Sequence, residues 1–254
     1  GVAASSDIQN STLKIENPFE KQNDLYSKIL GREVELYTKI EATSTENSDG
    51  LKQWSVTVPA SSIGYLYINK DATAGSYWPV TLTIDQRTIE NEAWRFDNNI
   101  RQIADASDAP SQHTVAIGVA EGYTDMPQDN EPVFYALNLD VFRQIINELK
   151  TSELIPTVFE DGRIEGEYTA KDDGNLLLSV PYDEGWNVTV NGTAAELTPA
   201  ADKGLSSLNM QKGANRIVMT YKTPGALAGL AVSLATAAVL VAAGLYDRHK
   251  KSRR

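Results

Sequence analysis

Leu176-Leu-Leu-Ser-Val-Pro-Tyr-Asp-Glu-Gly-Trp-Asn-Val-Thr-Val-Asn-Gly192 decides the fold class of this 254-residue chain. An apolar run stops at Pro181, a polar Asp-Glu-Gly turn follows, and then Trp186, Val188 and Val190 alternate with Asn187 and Thr189 up to Asn191-Gly192. A period of two between Pro/Gly and Asn-Gly punctuation is a strand, a loop and a half-buried strand. The same character extends outward, with strands predicted at Ile164 to Tyr168, Asn175 to Val180, Trp186 to Val190 and Ala214 to Tyr221. Asp172-Asp173-Gly174 and Lys212-Gly213 separate them. Residues 151–223 therefore read as one all-β unit.

Upstream the pattern repeats. Asn17-Pro18 followed by Phe19, Leu25, Tyr26, Ile29 and Leu30 and closed by Gly31 predicts a capped amphipathic helix. Val34, Leu36, Thr38 and Ile40 then alternate with Glu33, Glu35, Tyr37 and Lys39, as in a strand. Further strands are expected at Gln53 to Val58, Ile63 to Asn69, Val80 to Ile84, Thr114 to Val119 and Val133 to Leu137. From Asp140 to Lys150 the apolar side chains Val141, Phe142, Ile145, Ile146 and Leu149 share one helical face, a connector helix. The order Tyr65 to Asn69, Tyr77-Trp78, Val80 to Gln86 parallels Leu176 to Val180, Trp186, Val188 to Gly192. Two related jelly-roll-like β-sandwiches joined by a helix, over 1–150 and 151–223, are the mainly β architecture this predicts.

From Leu227 to Tyr246 no charged residue occurs in twenty. At about 1.5 Å rise per residue that spans the roughly 30 Å hydrocarbon core. A transmembrane helix is expected over 224–247, with a basic tail at 248–254. Arg248, Lys250, Lys251, Arg253 and Arg254 mark the cytoplasmic side, which places the residues before about 226 outside the cell membrane. Gly225, Gly229, Ser233 and Ala237 recur every four residues, a ridge of small side chains on which another helix, such as an upstream span of the same protein, can pack. The opening Gly1-Val-Ala-Ala-Ser-Ser has neither a basic start nor an apolar run, so an export signal is expected upstream of it.

Composition removes several function classes. The net charge of −11 argues against nucleic acid as a partner, because phosphate binding needs a basic surface. Before the span there are 18 basic against 33 acidic residues, an acidic exterior that keeps a domain soluble. No cysteine is present, which excludes disulfides, thiolate metal sites and cysteine nucleophiles. With His113 and His249 the two imidazoles, and His249 in the tail, a multi-histidine metal site is excluded. A Ser/His/Asp triad could be built on His113 alone, which reads better as the first residue of a strand. No metal site is expected.

The stretch from Leu176 to Gly192, then Asn209 to Gly213 and Tyr221-Lys-Thr-Pro-Gly225 leading straight into a membrane span, resembles the C-terminus of the bacterial YfhO family. Asn17-Pro-Phe-Glu-Lys-Gln-Asn23 and the helix around Phe142 to Leu149 look like earlier landmarks of that family. The resemblance implies a polytopic membrane protein with a large extracytoplasmic C-terminal region and a last helix. It also implies a GT-C type glycosyltransferase that takes a sugar from a polyprenyl-phosphate carrier and passes it to lipoteichoic acid or a related envelope glycopolymer. Its catalytic acidic residue is expected in an early loop that this sequence does not contain, so no catalytic residue and no cofactor is assigned here.

Candidate ligand contacts are Tyr182, Asp183 and Trp186, since an aromatic face stacks on sugar C–H groups and a carboxylate accepts hydroxyl hydrogen bonds. Tyr77 and Trp78, with Asp71, form the corresponding loop of the first half. The same Pro181 to Trp186 chemistry also serves as a plain turn with Trp186 in the core. Asp183-Glu184 and Asp172-Asp173 read as surface turns rather than paired catalytic carboxylates, which need a defined separation across a bond. Asp97-Asn98-Asn99 and Asp125 to Glu131 carry oxygen ligands without a calcium-loop spacing. The rival to the glycosyltransferase reading is a single-pass, membrane-anchored carbohydrate-binding or structural surface module.

Overall fold

The computed structural model describes residues 1–9, 14–46, 52–68, 78–94, 100–119 and 132–252. They form two compact units, one of Leu13–Thr151 and one of Gly1–Thr12 with Ser152–Arg254. Among the described residues the chain is mainly β, with four antiparallel sheets and a long C-terminal helix.

In the unit of Leu13–Thr151 the strands are β2 (Tyr37–Ile40), β3 (Ala42–Glu46), β4 (Lys52–Val58), β5 (Ser62–Ile68), β6 (Trp78–Ile84), β7 (Arg87–Trp94), β8 (Ile100–Ala104), β9 (Ser111–Val119) and β10 (Pro132–Asn138); β1 (Val2–Ala4) lies in the other unit. One sheet has the order β2-β10-β5-β8 and the other β3-β4-β9-β6-β7. Early strands pair with late ones, β2 with β10 and β4 with β9, and strands between them fill the next places outward. This nesting is the jelly roll. Alternation supplies the core: Trp54, Val56 and Val58 from β4 meet Leu66, Leu82, Val115, Ile117 and Phe134. Each such side chain, removed from water, contributes roughly 1.5–3 kcal/mol.

Two helices close this unit. Helix α1 (Pro18–Leu30) starts at Asn17, whose Oδ1 accepts from the N–H groups of Phe19 and Glu20, and ends at Gly31 with φ 64°. That left-handed geometry suits a residue without Cβ. Asn23 lies against the edge strand β2, donating to the Tyr37 carbonyl (2.7 Å) and accepting from its N–H (2.8 Å). Phe19 stacks on Tyr135 with ring centres 4.5 Å apart and touches Tyr37, Tyr65 and Tyr67. The Tyr135 hydroxyl is pushed up to about 12, first by burial and then by the Glu20 carboxylate to which it donates. Helix α2 (Leu139–Lys150) is capped by Asn138 and buries Ile145, while Phe142 is 37% exposed. Val34 and Leu36, expected in a strand, instead pack on Ile145 beneath the two helices. There the Ser27 hydroxyl satisfies the Val34 N–H (2.9 Å), so the ladder starts only at Tyr37.

The other unit holds β1 (Val2–Ala4), β11 (Ile155–Glu160), β12 (Arg163–Ala170), β13 (Gly174–Leu178), β14 (Trp186–Val190), β15 (Thr193–Ala195), β16 (Leu197–Ala200), β17 (Leu205–Met210) and β18 (Gly213–Tyr221). Its sheets run β11-β12-β18-β14-β15 and β1-β13-β17-β16. The nesting recurs, β12 with β18 and β13 with β17, around Leu176, Leu208, Met210, Ile217 and Met219. The topology makes β14 the counterpart of β5, and β17 the counterpart of β9. The parallel read from the sequence, β5 with β13, is one strand out. Shared alternation marks a strand as half-buried without saying which strand it is.

The first residues also depart from the boundary at 1–150. Val2, Ala3 and Ala4 pair with Leu177, Leu176 and Asn175, Ile8 is fully buried, and the Gln9 amide donates to Thr198 (2.9 Å). This segment straps the sandwich of residues 152–221, into whose sequence the other sandwich is inserted. Past Tyr221, Ala226 N–H closes a turn on the Thr223 carbonyl (3.2 Å) and helix α3 (Ala226–Ser252) begins. Its stretch Ala226–Tyr246 is long and apolar enough to cross a membrane, with mean hydropathy 2.2 and none of it buried.

Candidate functional site

Pro181 to Trp186 links β13 to β14, and backbone bonds fix its path. Asp183 Oδ1 accepts from the Gly185 N–H at 2.7 Å, an Asx turn, and Trp186 N–H returns to the Asp183 carbonyl at 3.2 Å. Lys222 N–H donates to the Gly185 carbonyl (2.9 Å), and Tyr182 N–H to the Lys203 carbonyl (3.0 Å). Gly185 is required here, since a Cβ would stand 2.6 Å from both the Lys222 carbonyl oxygen and the Tyr221 ring.

The three candidate contacts of this loop have different surroundings. Trp186 is half-buried against the core and meets Tyr221 edge-on, ring centres 5.2 Å apart. Tyr182 also packs on the core, with the Lys203 ammonium 6.0 Å from its ring centre. Asp183 is exposed, and its carboxylate takes the Tyr221 hydroxyl. Burial first, and that carboxylate second, push the Tyr221 phenol up. What remains open to solvent is a carboxylate edge flanked by two partly covered rings, which can accept hydroxyl hydrogen bonds beside an apolar surface.

Tyr77 and Asp71 lie outside the described residues, as do Asp97-Asn98-Asn99 and Asp125 to Glu131. Trp78 opens β6 and stands in register opposite Trp94 of β7. It belongs to the other unit, apart in sequence from the Tyr182 loop. Asp172 and Asp173 serve a turn: Asp173 Oδ1 accepts from the Lys212 N–H (2.7 Å) and Asp172 from its ammonium (3.2 Å). Among the described residues no group of three His, Asp or Glu side chains is placed to hold a metal ion.

Sequence reading left Asp85 and Ser111 unmarked. His113 Nδ1 lies 2.9 Å from Asp85 Oδ2 and its Nε2 lies 2.9 Å from Ser111 Oγ, the bonding order of a Ser-His-Asp triad. Asp85, in the β6–β7 turn with φ 54°, also accepts from the Thr114 N–H (2.8 Å) and donates its own N–H to the Thr114 carbonyl (2.8 Å). Burial opposes ionisation of this carboxyl, but bonds from Thr114 and His113 hold it below the ordinary range. With the Asp85 side chain 47% exposed, the cluster is a clasp holding the turn against β9. Beside it a cleft of about 690 Å³ is lined by Asp85, Arg87, Arg101, Gln102 and Asp105. The periodicity of separate strands carries no signal for a contact between a turn and a strand 28 residues later.

A protein of Bacillus subtilis (strain 168) named "Uncharacterized protein YfhO" is 27% identical over 117 residues, which are 46% of this chain and 13% of that relative. The chain thus matches only a small part of the relative's length. Among solved structures, a Paenibacillus cycloisomaltooligosaccharide glucanotransferase complexed with cycloisomaltoheptaose aligns over 73% of this chain and 45% of its own, at 10% identity and a TM-score of 0.20. A salicylate 1,2-dioxygenase from Pseudaminobacter salicylatoxidans aligns over 72% and 76%, at 8% identity and a TM-score of 0.13. Superpositions that poor carry no argument, and the jelly-roll assignment rests on the strand pairing. The family described as "Bacterial membrane protein YfhO" matches residues 1–233, through both sandwiches and into α3. The chain belongs to the YfhO family of bacterial membrane proteins.

Proposed function

We propose that this chain is the extracytoplasmic C-terminal region and last span of a polytopic glycosyltransferase, which moves a sugar from a polyprenyl-phosphate carrier to an envelope glycopolymer such as lipoteichoic acid. The observation that carries the reading is the family match across residues 1–233, ending inside an apolar helix. The short share of the relative that aligns, 13%, leaves length for the spans and catalytic loop the reading requires. In this reading the two sandwiches are non-catalytic and serve acceptor binding or the shaping of the active-site mouth. Tyr182 and Trp186 would stack on a sugar ring while Asp183 accepts its hydroxyl groups, and Tyr77 and Trp78 would do the same in the other sandwich. The acidic sandwiches lie outside and the basic tail lies in the cytoplasm, as positive charge beside a span favours.

The test is made on membranes of the source organism with an antibody against the sandwiches. A species far larger than 27.8 kDa with many protease-protected spans is expected, together with loss of sugar from the envelope polymer when the gene is deleted. A single-span species near that mass, with the polymer unchanged, overturns the reading in favour of an anchored carbohydrate-binding or structural surface module.

A further inference from the structure

We propose that the end of the second sandwich from which α3 departs is seated on the bilayer, with Phe159 inserted among the lipid headgroups. The proposal rests on α3 being a membrane span. Its first support is the shortness of the connection. Ala226 N–H bonds to the Thr223 carbonyl, and Gly229 N–H to the Gly225 carbonyl (2.8 Å), so the link is a turn running directly into the helix rather than a free tether. A turn of that kind holds its end Cα atoms within about 7 Å. One further residue of about 3.8 Å reaches Lys222. The headgroup layer outside the roughly 30 Å hydrocarbon core is itself about 5–7 Å deep on each side. Lys222 therefore lies within about 11 Å of the start of α3, near the outer edge of that layer.

Three loops are bonded to this point. Tyr221 N–H donates to the Gly162 carbonyl (2.8 Å) at the tip of the β11–β12 hairpin, and Lys222 N–H to the Gly185 carbonyl. The Tyr182 N–H in turn holds the Ala201–Gly204 turn through the Lys203 carbonyl. Phe159 sits close to that hairpin tip, in register with Ile164, which is itself opposite Met219 on β18. Its side chain is 78% exposed. A lone exposed phenylalanine on a soluble domain needs no explanation. One level with Met219, three residues from Lys222 at the membrane junction, does, because aromatic rings partition to the headgroup layer.

Charge decides which lipid surface fits. Around this end stand Glu160, Asp161, Asp183, Glu184 and Asp202 against Arg163, Lys203 and Lys222, an acidic excess. Attraction to anionic headgroups is therefore not the source of the seating. It is apolar, strongest on a zwitterionic surface and weakened by anionic lipid.

Because the sequence contains no cysteine, single cysteines take a nitroxide label at one defined place. The labelled variants are Phe159→Cys, Asp161→Cys (which keeps Phe159), Asp172→Cys at the opposite end of β12, and Ala237→Cys in α3. Each 254-residue chain is reconstituted in phosphatidylcholine vesicles, and collisions with oxygen and with a water-soluble nickel complex are measured. Labels at 159 and 161 are expected to lose nickel collisions relative to 172, the label at 159 to gain oxygen collisions, and anionic lipid to reverse both changes. A label at 159 as open to nickel as that at 172, with 237 in hydrocarbon, overturns the seating and leaves the span standing. Nickel access at 237 overturns the span itself. Shielding of 159 from both reagents shows a protein partner on this face and overturns lipid as its occupant.

Discussion

At the scale of single residues, Glu165 shows how a buried charge is tolerated in a sheet. Its side chain is 6% exposed and receives Arg163 Nε at 2.7 Å and Arg216 Nη2 at 3.0 Å, whose longer stems cover it. Hydrogen bonds from Arg163 and Arg216 hold its carboxyl below the ordinary range. A depressed folded-state value means stability that is present above the unfolded value, about 4.3, and lost as pH falls through the folded one. Glu165→Gln is expected to lower the unfolding temperature at pH 7 and to flatten its decline below about pH 4, as measured by thermal denaturation across pH. Gly185→Ala places a methyl 2.6 Å from the Lys222 carbonyl oxygen and from a Tyr221 ring carbon, and is expected to cost about 2 kcal/mol or more. Denaturant unfolding measures it. Ala201, Asp202 and Lys203 all have positive φ, between 47° and 68°, in the turn before β17. Relieving one of them by Ala201→Gly is expected to stabilise the chain by about 1 kcal/mol, read from the shift in denaturant midpoint.

At the scale of elements, Trp186→Ala separates two roles of one loop. Its ring packs on the core and on Tyr221, so the substitution is expected to cost about 2 kcal/mol in denaturant unfolding. Asp183→Asn leaves that packing in place and tests sugar binding. Helix α2 is predicted to lose about 1 kcal/mol on Asn138→Ala, since Asn138 Oδ1 accepts from the N–H groups of Asp140 and Val141. Helices were the most legible elements because their signals are local: Asn17-Pro18 with Gly31, and the amphipathic run from Asp140 to Lys150, reproduce α1 and α2 closely. Strands β4, β5, β9, β10 and β12 were legible by alternation. Strand β17 was not, because its Ser206 and Ser207 are both fully buried and interrupt any apolar period. Strand β11 escaped for the opposite reason, its Ile155 and Phe159 being 62% and 78% exposed. Of the candidate site, the bends at Pro181 and Gly185 could be read. The anchoring of Asp183 by Tyr221 could not, since it joins residues distant in sequence.

For the whole molecule, nested pairing sets early strands beside late ones, β2 with β10 in one sandwich and β12 with β18 in the other, so neither sandwich forms from local hairpins alone. The strap of residues 2–9 is the extreme case, as Val2 finds its partner at Leu177. Val2→Pro would remove the Val2 N–H from β1, and is expected to destabilise the sandwich of residues 152–221 while leaving that of residues 13–151 unchanged, resolved as two transitions in calorimetry. The same strap sets a clock on the ribosome. At about 5–20 residues per second, roughly 9–35 s separate the emergence of β1 from that of its partner. Residues 13–151 can complete their sandwich in that interval, while Ile8 waits unburied for a sheet that has yet to be translated. Slowing elongation between residues 151 and 177 should therefore lengthen the time for which the nascent chain offers that segment to chaperones, without changing the finished fold.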